Sequence, residues 1–407
     1  MTRGGRVALT LATALLAVAG YGQAPEDDVV EPTAEPLLRA ELGGDVRYFQ
    51  FVGLEGSVGE EHAERGALRL KLDAELGERW RFEGHGLLQG ASPPALGGGF
   101  SLSQGRATRY FDVDAELDAN DDRTIVSDID RFNVRFDGRH LRLTLGRQAI
   151  TWGVNYFWPV LDLFAPFSPE RIDRDYKPGV DALRLTVPVG QFSEIEVIGA
   201  LQGRETREDR SLAALGRFHL GNADVGFMIG DFHRDRVLGA FLTGDVRGSL
   251  LRAEVSFTST SDRAREEGDP DDFVRATLGL DRLLTQSLSF VFETTYNGYG
   301  TNEPADILGL FGRERVRRGE ITSFGRIASG VAVSWQTHPL LGLTGAALVS
   351  WSDGSVLLQP SGVWSLTNNG DLLFGGFLGL GDSSETEIAS EYGATQATVW
   401  AALRWAF

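Results

Sequence analysis

From Leu37 onward, apolar and polar residues alternate with a period of two. In 68–76 (LRLKLDAEL), Leu68, Leu70, Leu72, Ala74 and Leu76 share one face, while Arg69, Lys71, Asp73 and Glu75 share the other. That is the side-chain geometry of a β-strand. The same rule sets Phe132, Val134 and Phe136 against Arg131, Asn133 and Arg135. It sets Leu141, Leu143 and Leu145 against Arg142 and Thr144, and Leu251, Ala253, Val255 and Phe257 against Arg252, Glu254, Ser256 and Thr258. It sets Leu288, Phe290, Phe292 and Tyr296 against Ser289, Val291, Glu293 and Thr295. The pattern predicts strands over 37–50, 66–77, 79–89, 129–137, 140–147, 180–188, 193–202, 211–219, 222–231, 236–246, 249–259, 271–281, 286–296, 324–335, 341–351, 354–365, 371–380 and 395–406. No stretch of comparable length repeats every 3.6 residues.

The connections separate a sandwich from a barrel. Short links (77–78, 137–139, 220–221, 247–248, 367–370) follow the even-numbered strands. The long ones (51–65, 90–128, 148–179, 260–270, 297–323, 381–394) all follow odd-numbered strands. A meander with every long loop at one end is the pattern of an outer-membrane barrel; a Greek-key sandwich would mix the ends. The expected fold is all-β: a closed antiparallel transmembrane barrel of about 18 strands (16–18). In hydrocarbon the backbone can be satisfied only if the sheet closes. Apolar faces then point to lipid, where a Lys or Arg costs about 2–4 kcal/mol at mid-membrane, and charged faces point to the lumen. Aromatic residues fall at strand ends, as interfacial girdles require: Trp80, Phe136, Trp335, Trp405 and Phe407 at one end, Tyr296, Tyr299 and Trp351 at the other.

The N-terminus reads as a signal peptide over residues 1–24. Arg3 and Arg6 precede an apolar run, 7–19, that is too short to span a bilayer, and small residues follow. Residues 25–36 (PEDDVVEPTAEP) read as an acidic, Pro-rich periplasmic tail, leaving 37–407 as one barrel domain. Composition narrows the function. With 39 basic and 57 acidic residues, the net charge of -18 argues against nucleic acid as a partner. The absence of Cys removes thiolate metal sites and cysteine nucleophiles.

A barrel of this size encloses water. The inward positions predict a pore lined by Arg69, Lys71, Arg81, Glu83, Arg131, Arg135, Arg142, Arg184, Arg252, Glu254 and Glu293, with His85 beside Glu83. Arginine dominates the strands from 66 to 188, which predicts a basic wall; a structural ladder satisfied by carboxylates is the competing reading. The loop 148–179 is too aromatic to be solvated, and its prolines stiffen it. It is expected to fold into or over the lumen, with Trp152, Asp162, Arg171, Asp173, Arg174 and Asp175 as constriction residues. Strict alternation turns Gln148 inward and Arg147 outward, so Arg147 must sit at an interface or mark a bulge.

GRQAITWG (146–153), followed by a loop and the re-entry PGVDALRL (178–185), resembles a segment that recurs in Gram-negative outer-membrane channel families. It is more distantly similar to alginate-export-type channels of 18 strands. In general porins the loop at this position narrows the barrel, and the resemblance implies the same here. The final strand, ATVWAALRWAF, resembles the signal by which such barrels are recognised by their assembly machinery, with Trp405 and Phe407 carrying the likeness.

Other motifs carry less. The acidic run 112–122 lacks the Gly and Glu of an EF-hand and reads as a solvated loop, as does 262–272. Arg313, Arg315, Arg317 and Arg318 read as a solvated outer loop, with lipopolysaccharide phosphates the alternative. None of the six histidines has metal-ligand spacing with another, and no nucleophile elbow or P-loop is present. The expectation is therefore a non-enzymatic channel for passive diffusion of small hydrophilic solutes, anion-preferring through its Arg wall and needing no cofactor or metal. Its partners would be outer-membrane lipid and lipopolysaccharide, the assembly machinery and small solutes. A barrel-based hydrolase of lipid or peptide, or a closed surface barrel, is the alternative.

Overall fold

The computed structural model describes residues 37–54, 62–93, 109–111, 113–120, 122–172, 174–203, 210–262, 265–382, 390–393, 395 and 397–407. The signal peptide and acidic tail expected over 1–36, and Asp173, lie outside these residues. The strands are β1 (Leu38–Gly53), β2 (His62–Leu76), β3 (Trp80–Ser92), β4 (Ala115–Ala119), β5 (Thr124–Asp137), β6 (Arg142–Gln148), β7 (Val180–Pro188), β8 (Glu194–Leu201), β9 (Arg210–Leu220) and β10 (Ala223–Phe232). They continue with β11 (Asp235–Val246), β12 (Ser249–Ser259), β13 (Asp272–Leu283), β14 (Leu288–Asn297), β15 (Ile327–His338), β16 (Leu341–Ser350), β17 (Val356–Ser365), β18 (Gly370–Leu380) and β19 (Thr398–Ala406). Each pairs antiparallel with its neighbours. β3 pairs directly with β5, and β1 closes on β19 with Val46 opposite Trp405. The result is a closed barrel of 18 strands plus one extra strand.

The extra strand is β4. It lies in the acidic run read from sequence as a loop, and forms a hairpin with the start of β5. Arg123 bonds Asp118 at 2.7 Å, and the Asn120 side chain accepts the backbone N–H of Asp122 and Arg123. The side chains of Asp118 and Asn120 thus brace the end of this hairpin.

Burial follows the alternation. On β12, Leu251, Val255 and Phe257 are exposed, while Glu254, Ser256 and Thr258 are buried. On β19, Val399, Leu403 and Trp405 are exposed, while Trp400 and Ala402 are buried. The exposed apolar residues form a belt suited to lipid. Trp80, Trp335, Trp351, Trp405 and Phe407 stand in it at the strand ends. Tyr299 does not: it is 5% exposed, packed on Phe273 with its hydroxyl bonded to Asp269. Its position just past β14 turns it inward under the long-loop end.

Two linked irregularities lie on β5 and β6. His85 pairs with Arg131 but Gly86 pairs with Ile129, so Asp130 is a bulge residue. Ile129 and Phe132 both stay exposed while Asp130 and Arg131 are both buried. One extra residue thus delivers two consecutive charges to the same face. Arg147, opposite Phe132, is 4% exposed. It forms a two-pronged ion pair with Asp181, its register partner on β7 (2.8 and 3.0 Å), and donates to the Ile129 carbonyl (2.7 Å). Asp181 also accepts the backbone N–H of Tyr110 and Phe111, so this stretch covers the pair. A charge that would be costly against lipid is consumed at the upper rim.

Candidate functional site

The connection between β6 and β7, residues 149–179, packs against inward-facing side chains. Trp152, Leu161, Leu163 and Phe164 join Ala182, Ile198, Leu215, Met228 and Phe232 in one buried cluster. Phe157 and Trp158 join Phe49, Phe51, Leu348, Leu357 and Trp400 in another. The two clusters belong to different arcs of the barrel, β7–β11 and β15 through β2, and the loop touches both. The inner faces there are apolar, unlike the uniformly charged lumen that the alternation predicts. β8 shows the change along one strand: its inward residues run Glu196, Ile198, Ala200.

Between these arcs, two buried carboxylates hold the loop backbone. Glu254 on β12 accepts the N–H groups of Asn155 (2.8 Å), Leu161 (2.9 Å) and Val154. Glu293 on β14 accepts those of Phe157 (2.7 Å), Trp158 (3.3 Å) and Tyr156. Carbonyls are met by donors from the same wall: Arg252 bonds Val154 O (2.9 Å), Thr277 bonds Trp158 O (2.9 Å) and Arg275 bonds Val160 O (3.2 Å). A loop without strand partners must satisfy its polar backbone some other way when buried. Here the barrel wall does so. Glu254 and Glu293, read from sequence as pore-lining, face inward but are 3% and 0% exposed; they anchor the loop and do not line open water.

The other loop residues are placed as follows. Trp152 donates its indole N–H to Glu196, which also pairs with Arg184. Asp162 pairs with Lys177 at 2.5 Å inside the loop, both buried. Arg171 lies over the Phe167 ring at 4.9 Å, and Arg174 donates to the Pro169 carbonyl at 2.7 Å. Asp175 receives Arg47 at 3.0 Å and Arg404 at 2.7 Å, which ties the returning arm to β1 and β19.

The returning arm meets a basic wall. Arg69, Lys71 and Arg47 surround the Tyr176 ring at 4.1, 4.6 and 5.1 Å. Tyr176 donates to Asp45 at 2.9 Å. Arg69 and Arg131 share Asp130 at 2.7 and 3.2 Å. Toward the short-turn end, Arg135 and Arg142 share Asp137 at 3.1 and 2.8 Å, with Arg81 at 3.7 Å. Arg81 and Arg142 are each 53% exposed in their side chains, and Arg135, Arg184 and Lys71 are part-exposed, so these cations meet water. The sequence reading missed Arg47, Tyr176, Asp45 and Asp130. Arg47 lay in a predicted strand and its inward parity was available; Asp130 was hidden by the bulge.

Outside the barrel wall, the basic run is mostly consumed. Arg315 is 2% exposed and bonds Asp235 at 2.7 Å and Glu320 at 3.2 Å; Arg318 bonds Glu320 at 3.0 Å. Burial alone would raise the Glu320 carboxyl, but Arg318 and Arg315 outweigh it and hold it far below the usual range. This is a buried brace of the 298–326 connection, and only Arg317 matches the solvated expectation.

No family model matches the chain, and no curated protein matches it. Solved structures do. OccAB4 of Acinetobacter baumannii superposes with a TM-score of 0.57 at 6% identity, covering 93% of this chain and 100% of that one. OccK11 (OpdR) of Pseudomonas aeruginosa gives 0.56 at 10% identity, over 91% and 96%. OccD3 (OpdP) of the same organism gives 0.54 at 12%, over 90% and 91%. The chain has a porin-like fold. At these identities the likeness concerns the barrel and its strand order, and the site residues rest on the geometry above.

Proposed function

We propose that this porin-like barrel sits in the outer membrane and passes small hydrophilic solutes by passive diffusion, preferring anions. The supporting observation is the pairing of a buried loop with a wet basic wall. The loop fills part of the cross-section, so the free path runs past what it leaves open. On the side of β2, β3, β5 and β6, Lys71, Arg81, Arg135 and Arg142 keep solvent contact there. Rows of fixed cations in a confined aqueous path raise the local concentration of anions. Each cation has a carboxylate nearby, which lowers but does not erase the effect: Arg81, Arg135 and Arg142 share Asp137, with Glu75 at 3.3 Å from Arg81.

Loop 149–179 is the constriction in this reading, and Trp405 with Phe407 forms the strand end seen by the assembly machinery. The fold neighbours are porins rather than enzymes, which supports a non-catalytic role. Planar-bilayer recording tests the proposal. Purified protein should give discrete conductance steps and a reversal potential on the anion side under a KCl gradient. Folded protein without conductance would favour a closed barrel instead.

A further inference from the structure

We propose that Asp73, Glu83 and His85 form a binding site for one divalent transition-metal ion on the inner wall of the barrel. Asp73 on β2 stands directly opposite Glu83 on β3, and His85 follows two residues later on the same face. One potential ligand atom from each residue lies within 4.8 Å of the others. Among the described residues, this is the trio of His, Asp and Glu side chains that converges in this way.

The donor set decides the metal class. One imidazole and two carboxylates suit Zn²⁺, Mn²⁺, Fe²⁺, Co²⁺ or Ni²⁺ better than the all-oxygen shells of Ca²⁺ and Mg²⁺. Three protein ligands leave positions for water or solute. Ligand bonds of about 2.0–2.2 Å require the three atoms to draw together by an ångström or so. Asp73 is exposed and the Glu83 side chain is 37% exposed, so both have room to move.

A second observation points to a ligand. His85 is 7% exposed, yet its Nδ1 has no hydrogen-bond partner, and its Nε2 stands 3.6 Å from Glu83 Oε1, too far for a hydrogen bond. A metal at Nε2, the nitrogen that faces Glu83, would use a lone pair that no hydrogen bond takes. The surroundings are built for it. Asn133 donates to Glu83 Oε2 at 2.9 Å, orienting the carboxylate and leaving Oε1 toward the imidazole. The nearby cations also have carboxylates outside the trio: Arg69 and Arg131 share Asp130, and Lys71 stands 3.4 Å from Asp45. Arg131 also approaches Glu83 at 3.9 Å and competes for that carboxylate.

Zn²⁺ titrated calorimetrically into the full-length folded barrel in detergent tests the site. The expected result is saturable binding of one Zn²⁺ per chain. Asp73→Asn and His85→Ala should each weaken it by at least about tenfold. His219→Ala should leave it unchanged, because the exposed His219–Asp224 pair, 2.6 Å apart, is the alternative place for an adventitious ion. Should His85→Ala fail to fold, Asp73→Asn, at an exposed position, carries the test. Absence of saturable binding, or equal binding in Asp73→Asn and wild type, overturns the proposal, as does loss in His219→Ala. Calorimetry reads the site whether or not the barrel conducts, so a failed channel reading and a failed metal site remain distinguishable.

Discussion

Glu293 on β14 accepts the backbone N–H of Phe157 at 2.7 Å, joining residues 136 apart in sequence. With Glu254 it takes six N–H groups from one turn of loop 149–179. Hydrogen bonds of this kind contribute about 0.5–1.5 kcal/mol each, and more when the acceptor is ionised. Glu254→Ala and Glu293→Ala therefore remove several such bonds and leave buried donors unmet. The barrel closes without the loop, so the variants should still fold. Both should show faster protease cleavage within 149–179 and a larger, noisier single-channel conductance. Unchanged conductance with intact loop protection would mean that the anchors are dispensable.

The basic wall makes a separate prediction about ions. Arg135 and Arg142 compete for Asp137, and Arg142 is the more exposed of the two. Arg142→Glu changes the local charge by two and leaves Asp137 with less compensation. The reversal potential under a KCl gradient should shift toward cations, and Arg135→Glu should add to it. A reversal potential equal to wild type in the double variant would remove this wall from the selectivity argument.

Much of the barrel was legible because lipid and water impose opposite demands on successive residues. Leu251, Val255 and Phe257 against Glu254, Ser256 and Thr258 could be placed on the two faces from sequence alone. Connection lengths then indicated closure. What the pattern hid were places where one residue changes the parity, or where the inner face meets protein instead of water. Asp130 is hidden by its bulge, and Arg147 keeps the outward parity that alternation gives it but is buried by its pairing with Asp181. Ile198 and Ala200 can be apolar on the inner face because the loop covers them, a fact carried by residues distant in sequence. Tyr299 looks like a girdle residue by position alone; only the packing of Phe273 reveals otherwise. Glu254 and Glu293 were found by parity, but their task depends on loop atoms that no local pattern specifies.

Loop docking should depend on pH through Glu170. Burial, with the Glu391 carboxylate beyond it, pushes this group up to about 7 from 4.5. A docked loop thus holds one more proton than an undocked one between these two values. Docking is strongest at low pH, weakens as pH rises through that window by about 1.4 kcal/mol per unit, and stays weakened above it. Hydrogen exchange of 149–179, corrected for intrinsic rates, should show less protection at pH 8 than at pH 5. Glu170→Gln, which cannot ionise, should reduce the difference. Equal protection at both pH values in the wild type would show that Glu170 does not bear on docking.

The Asp162–Lys177 pair tests how the loop holds its own shape. Both side chains are buried, and burial lowers the Lys177 ammonium below its ordinary value even with Asp162 beside it. Removing one partner strands a charge in a dry site, which costs about 3–5 kcal/mol. Replacing both with apolar residues of similar size removes that penalty. Asp162→Leu alone should therefore undock the loop, seen as rapid proteolysis within 149–179 and loss of exchange protection. Asp162→Leu with Lys177→Met should regain most of the protection. The two single variants and the double form a cycle whose coupling is predicted to be strongly favourable. If the double variant is as open as Asp162→Leu, the loop needs the ion pair itself and not merely the absence of an unpaired charge.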